Sequence, residues 1–312
     1  MPFLLKRLIS AVSLVFGTSI IVFLMLSPAF DNIAFNVLGE NASPEQAAAL
    51  NAELGLDRPV LVQYASWLVS AFTGDLGESL FSTQTVMQAL SVRMPVTVAL
   101  VIIVTLLSGV LGFAIGVAAA VTRGWVDRTL QFVATLGDAL PAFIIALFLV
   151  TLFAIQLGWF PATGYTAPGS DIGGWVRTMT LPVVALTIVA VAGVAQQVRS
   201  SMIQTLRLDY VRTLRSRGLS ETRVVVAHVL RNASTTGLTA LAVQVVGILG
   251  GAVVIEQIFA LPGLGSLAIE ASSRTDVDVV LGAVLAYVVI VVIVNLLVDL
   301  IVAWLNPKVR LA

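Results

Sequence analysis

Cysteine is absent from this 312-residue chain, histidine occurs once, at His228, and lysine only twice, at Lys6 and Lys308. The first absence excludes disulfides, iron–sulfur clusters and thiol chemistry, and a single imidazole without thiolates cannot assemble a zinc cage. The scarcity of lysine excludes something else. A phosphate-cradling loop needs Gly-Lys followed by Ser or Thr, and neither lysine follows a glycine, so the chain carries no P-loop nucleotide site of its own. Charge is also sparse. Asp, Glu, Lys and Arg make up 11% of the residues and cancel to a formal net charge of zero, which gives no reason to expect nucleic acid as a partner. Low-complexity tracts and tandem repeats are missing as well.

What the chain has in abundance is apolar surface. Hydrophobic residues reach 58% and the mean hydropathy is +1.02, far too little polar surface to cover a water-soluble globule, so the bilayer is the expected solvent. Roughly 30 Å of hydrocarbon takes ~20 helical residues to cross. Six apolar stretches are long enough, at about 8–29, 96–121, 129–155, 181–202, 235–256 and 279–304. The expectation is an all-α integral membrane protein of six transmembrane helices. Lys6 and Arg7 precede the first stretch and Ser27-Pro28-Ala29 faintly resembles a cleavage site, but the run is longer than a signal core and five more follow, so it reads as a retained anchor.

Orientation follows from the basic residues. One side of the six-span arrangement holds Lys6, Arg7, Arg123, Arg128, Arg199, Arg207, Arg212, Arg215, Arg217, Arg223, Arg231, Lys308 and Arg310. The other holds Arg58, Arg93, Arg177 and Arg274. This asymmetry predicts both termini in the cytoplasm. The chain then divides into residues 1–29, a cytoplasmic N-terminus with the first span; 30–95, an external subdomain; and 96–312, a five-helix core with a cytoplasmic loop at about 203–232. In the external segment Ser43-Pro44-Glu45-Gln46 reads as a helix start, Ser43 as cap and Pro44 at the first helical position.

The inner loop is the most informative stretch. Leu206, Tyr210, Val211 and Leu214 recur at helical spacing with Arg207, Arg212, Arg215 and Arg217 among them, which predicts a short amphipathic helix over 205–217. Gly218 permits the left-handed backbone that ends it, and Ser220 can cap the next helix, 221–230, which leads into the fifth span. A stiff helix tied to two spans can transmit force. A basic segment resting on anionic lipid would show the same charge and amphipathicity, and these features alone do not separate the two.

The literal residues do. Asp209-Tyr210-Val211-Arg212-Thr213-Leu214-Arg215-Ser216-Arg217-Gly218-Leu219-Ser220, then His228-Val229-Leu230-Arg231-Asn232-Ala233, resembles the coupling loop of the dipeptide/oligopeptide/nickel branch of ATP-binding-cassette importer permeases. The resemblance continues collinearly through Gly55-Leu56-Asp57-Arg58-Pro59, Gly74-Asp75-Leu76-Gly77, Arg93-Met94-Pro95-Val96-Thr97, Leu157-Gly158-Trp159-Phe160-Pro161, Glu256-Gln257-Ile258-Phe259-Ala260-Leu261-Pro262-Gly263-Leu264-Gly265 and Asn306-Pro307-Lys308-Val309-Arg310. Departures exist: the wider importer pattern has an acidic residue and two alanines where this chain has Arg212-Thr213-Leu214, and proline at Arg231; the peptide branch usually has alanine at Leu214 and Ser216 and lysine at Arg217.

The resemblance implies a type I importer permease fold, a pore-forming subunit of a binding-protein-dependent importer of di- or oligopeptides, glutathione or nickel chelates, and no catalysis by this chain. It implies as partners a second, homologous permease subunit in a heterodimer, two ATPase subunits that bind ATP and Mg, an external solute-binding protein, and membrane lipid. It further implies that residues 209–220 dock onto an ATPase subunit. No cofactor or metal is expected on this chain itself.

Three polar side chains inside or at the edge of spans mark a candidate translocation path: Asp138, Gln244 and Glu256. A central carboxylate costs ~2.5–3.5 kcal/mol on insertion scales, and such residues usually face a bundle interior or a wet cavity. Asp299 reads instead as a packing or water contact near the inner interface. Two other classes were weighed. An ion-coupled carrier using these carboxylates leaves the arginine-rich loop unexplained, and an aspartyl protease needs Asp138 and Asp299 at one depth, which the span assignment denies. Glycines at Gly109, Gly112, Gly116, Gly247, Gly250 and Gly251 predict close helix approach, and Pro141 and Pro182 predict kinks or span starts.

Overall fold

The computed structural model describes residues 2–39, 42–122 and 124–305. Arg123 and the closing motif at 306–310 lie outside the described residues. Helix α1 (Pro2–Leu26) passes through a 3₁₀ segment (Ser27–Asn32) into α2 (Ile33–Leu38), followed by α3 (Pro44–Glu53), α4 (Val60–Phe72) and α5 (Val86–Thr122). Next come α6 (Trp125–Ala139), α7 (Ala142–Leu149) with a π-helical continuation (Val150–Gln156), α8 (Ile172–Leu206) and α9 (Asp209–Ser216). Helix α10 (Glu221–Arg223) widens into a π-helical segment (Val224–Val229) and runs on as α11 (Leu230–Ile258); α12 (Leu264–Arg274) and α13 (Val277–Leu305) complete the chain. Among the described residues the sole extended pairing is a bridge between Glu78 and Thr85.

Among the described residues five helices are long and apolar enough to cross a bilayer, six if α6 and α7 make one span. The stretch expected as the third span, 129–155, consists of two helices bent by 95°, as the expected kink or span start at Pro141 implies. The break falls at Leu140-Pro141. Proline disfavours α geometry in the residue before it, and Leu140 is accordingly extended, at φ −92° and ψ 125°. The second span also begins earlier than expected, at Val86 instead of 96, with Pro95 inside the helix. A capping box sets that start: the Gln88 N–H donates to Thr85 Oγ1 at 3.2 Å while the Thr85 N–H donates to Gln88 Oε1 at 3.2 Å. The expected cap at Ser43 is present, reciprocated by Gln46, with Pro44 in the first turn.

The chain folds as two compact units, 1–97 with 262–292, and 98–261 with 293–312. In the first, Phe23 packs edge-on against Phe30 and Tyr64, ring centres 5.4 Å apart in both cases. Ser19 Oγ and the Tyr64 hydroxyl hydrogen-bond at 2.8 Å, so the polar end of a buried aromatic is satisfied. Thr97 Oγ1 accepts the N–H of Leu264 at 2.8 Å, tying α5 to the start of α12, and Asp276 accepts from Ser79 Oγ at 2.5 Å, tying the Glu78–Thr85 turn to the start of α13.

The second unit is built on small residues. A Cβ at Gly112 would fall 2.7 Å from Val194, and one at Gly116 2.7 Å from both Val198 and the Ala195 carbonyl, so α5 and α8 meet at backbone distance. Gly237 does the same from α11, where a Cβ would lie 2.6 Å from Phe113 and 2.7 Å from Val198. The expected close approach holds at Gly112 and Gly116, whereas Gly250 faces open space.

Candidate functional site

Helix α8 ends at Leu206, two residues break the path, and α9 begins at Asp209. The expected helix over 205–217 is thus corrected to a shorter one. Leu208 takes an extended conformation at ψ 146°, which turns the chain before α9. One side chain of α9 is completely buried: Val211, in a cluster with Val224, Val225 and Val229 from the following segment and Val198 and Met202 of α8. In an α-helix Val224 and Val229 would stand about 140° apart. The π-helical turn, with its i→i+5 bonding, brings residues five apart onto nearly one face, so both can cover Val211.

The turn after α9 is closed by its own backbone. The Gly218 N–H donates to the Arg215 carbonyl at 2.9 Å and the Leu219 N–H to the Leu214 carbonyl at 3.4 Å. This is the paired bonding of a Schellman motif, and it requires a left-handed residue, here Gly218 at φ +80°. Leu214 and Leu219 supply the accompanying apolar contact by packing on the Val211 cluster. Arg215 Nε donates to Glu221 across the turn at 3.0 Å, its second nitrogen bonding the other carboxylate oxygen. That hydrogen-bonded carboxylate lifts the Arg215 pKa above its ordinary value. Ser220 occupies the cap position of α10 but its hydroxyl makes no capping bond.

Residues 209–220 therefore have two sides. Val211, Leu214 and Leu219 face the chain's own core, while Asp209, Tyr210, Arg212, Thr213, Arg215, Ser216, Arg217, Gly218 and Ser220 are exposed. A short helix with an apolar rear and an exposed face of three arginines, an aspartate and a tyrosine is suited to fit a groove on another molecule.

Of the three path candidates, Gln244 and Glu256 stand apart on one helix. Gln244 is half-buried in α11, its amide oxygen 3.2 Å from the position a Cβ would take on Gly193 of α8. Glu256, at the far end of α11, is completely buried and engaged. Twelve residues separate them, about 18 Å along the axis and about 120° around it. Asp138 lies in the last turn of α6, and its side chain is outside the described residues.

A polar tie escaped the sequence reading. Arg199 of α8 donates from Nε and a terminal nitrogen to the two oxygens of Asp127 on α6 at 2.6 and 2.7 Å, and the Gln131 amide, turned so that its oxygen faces the guanidinium, accepts as well. Arg199 entered the sequence reading only as one of the basic residues of the inner side, and Asp127 stands in the first turn of α6 while Arg199 lies near the end of α8.

Long apolar helices with large side chains such as Leu106, Val110, Phe148 and Val243 turned outward, and with a basic helix–turn–helix between two of the longest, define a multi-pass membrane protein. The chain belongs to the family of binding-protein-dependent transport system inner membrane components, which it matches over residues 111–311, with the family's N-terminal component matched over 1–101. It is a multi-pass protein of the bacterial inner membrane. It is 38% identical over 308 residues to a putative peptide transport system permease protein of Brucella abortus (strain 2308), covering 98% of each chain. With a dipeptide transport system permease protein of Alkalihalophilus pseudofirmus it shares 31% identity over 331 residues and 99% of each chain. Among solved structures, the inward-facing MetNI methionine ABC transporter superposes with a TM-score of 0.55 at 18% identity, over 70% of this chain and 97% of that one. An amino acid ABC transporter gives 0.53 at 18%, over 69% and 93%. These likenesses establish the type I importer permease fold.

Proposed function

We propose that this chain is the pore-forming subunit of a peptide importer driven by ATP hydrolysis on separate subunits, and that residues 209–220 are the part those subunits grip. The observation that carries this reading is the two-sided α9: its rear is fixed by a fully buried Val211 and a closed turn, its front is exposed and charged, and it is joined directly to the helices Ile172–Leu206 and Glu221–Ile258. A push on the front is passed to both spans, because nothing between is free to swivel. The cargo is inferred from the printed names of the relatives, peptide and dipeptide permeases.

With thirteen of the 17 basic residues assigned to one side, that side is the cytoplasm. The partners are two ATPase subunits carrying ATP and Mg, a second and similar permease completing the pore, an external solute-binding protein that docks on the 30–95 segment, and lipid. Gln244 and Asp138 line the path, and Glu256 is reached by cargo only after α11 moves. Hydrolysis is not performed by this chain.

Reconstitution in vesicles tests the reading. Uptake of a labelled dipeptide should require both the ATPase subunits and the binding protein. Gly218→Pro cannot take φ +80° and removes the N–H bonded to Arg215, so it should abolish uptake while ATPase activity persists. Uptake driven by a pH gradient without ATP would overturn the proposal.

A further inference from the structure

The first unit encloses a recess of about 260 Å³, at the small end of ligand pockets and the right scale for an amino acid or a very short peptide. Phe23, Phe30 and Val277 give it an apolar wall, and Arg58, Asp75 and Asp278 give it charge of both signs. These opposite charges do not neutralise one another. Among the described residues neither Arg58 nor Asp278 makes an ion pair, and the Asp278 carboxylate accepts no hydrogen bond. Asp276 and Asp75, both of its own sign, lie close enough to act on Asp278 electrostatically. Asp276 is occupied by Ser79 and the Leu80 N–H, and Asp75 accepts the Gly77 N–H at 3.0 Å, so neither supplies a proton donor to Asp278.

Gly77 shows that this arrangement is built. It sits at φ +91°, and the space its Cβ would fill is taken by the Asp278 carboxylate. The Gly74-Asp75-Leu76-Gly77 motif thus delivers one carboxylate to the recess and leaves room for a second. A partly buried carboxylate among like charges is costly to leave ionised, and a proton or an entering cation relieves that cost. The exposed Arg58 guanidinium, with no ion-pair partner among the described residues, offers the opposite charge at the rim of the same recess.

We propose that this recess binds a small zwitterion with an apolar side chain, its ammonium held by Asp278 and Asp75 and its carboxylate by Arg58. A free amino acid and a dipeptide share this chemistry. The site belongs to the first unit alone and stands whether or not the ATP-driven reading holds.

Calorimetric titration of the full-length chain in nanodiscs tests it, using leucine, Leu-Leu, N-acetyl-leucine, leucinamide and n-pentylammonium. Leucine or Leu-Leu should bind, and whichever binds more tightly identifies the source. Blocking the amine in N-acetyl-leucine should weaken binding about tenfold to a hundredfold, the value of a charge-assisted contact, and Asp278→Asn should cause the same loss. Arg58→Gln, at an exposed position whose change should not unfold the chain, should erase the preference for leucine over leucinamide. No heat with any probe, equal binding of N-acetyl-leucine, or an unchanged preference in Arg58→Gln would each refute the assignment. Pentylammonium binding as tightly as leucine would also refute it, pointing to a basic side chain of a protein partner.

Discussion

Two interruptions of helical structure in the second unit are made differently. At Leu140-Pro141 the chain breaks where the proline disfavours helical geometry in the residue before it, and the bend between α6 and α7 rests on two extended residues. At 207–220 it breaks around a helix of its own, with both backbone bonds of the turn made, an ion pair across it and a valine buried beneath it. The first has the construction of a hinge and the second that of a lever. Steric exclusion leaves a joint soft; satisfied hydrogen bonds and burial make it stiff.

Four substitutions would break or sharpen that contrast. The largest effect is expected from Val211→Asp, which buries an uncompensated charge in an apolar cluster; the lever should detach, with loss of co-purifying ATPase subunits and of uptake. Arg199→Ala should come next. It strands Asp127 and should cost about 2–3 kcal/mol of stability, read as a lowered Tm in detergent, and the Arg199→Asp/Asp127→Arg double swap should recover part of it. Pro141→Ala restores a backbone donor at the hinge without touching its neighbours. It should slow transport several-fold with little change in Tm, whereas a fall in Tm with unchanged transport would show that the break is structural only. The smallest effect is expected from Arg215→Ala. Its pair with Glu221 is solvent-exposed and contributes about 0–1 kcal/mol, so folding should survive; a large loss of ATPase binding would then place Arg215 in the docking contact.

Much of this was legible from residues alone, for identifiable reasons. Apolar length gave the long helices, Ser43 and Gln46 announced a cap that is present, and Gly218 announced the turn that it closes. What escaped was structure decided by contacts between distant residues. Nothing in Val224-Val225-Val226 announces a π turn, and the cluster it packs into includes Val211, on a separate helix. The early start of α5 is written in Thr85 and Gln88, whose reciprocal cap opens a helix that runs through Pro95 nine residues later. The Asp127–Arg199 pair was visible only as two charges until α6 and α8 were set side by side.

Val198 deserves its place among the buried side chains for one more reason. Its branched carbon is wedged against Gly116 from one helix and Gly237 from another, with hydrogen the largest substituent either position admits. A bolt through three plates behaves this way: α5, α8 and α11 cannot slide past each other at that height without withdrawing it. Crosslinks confined to those three helices at that height should therefore leave uptake unchanged, and a loss of uptake would show that they do move past one another there.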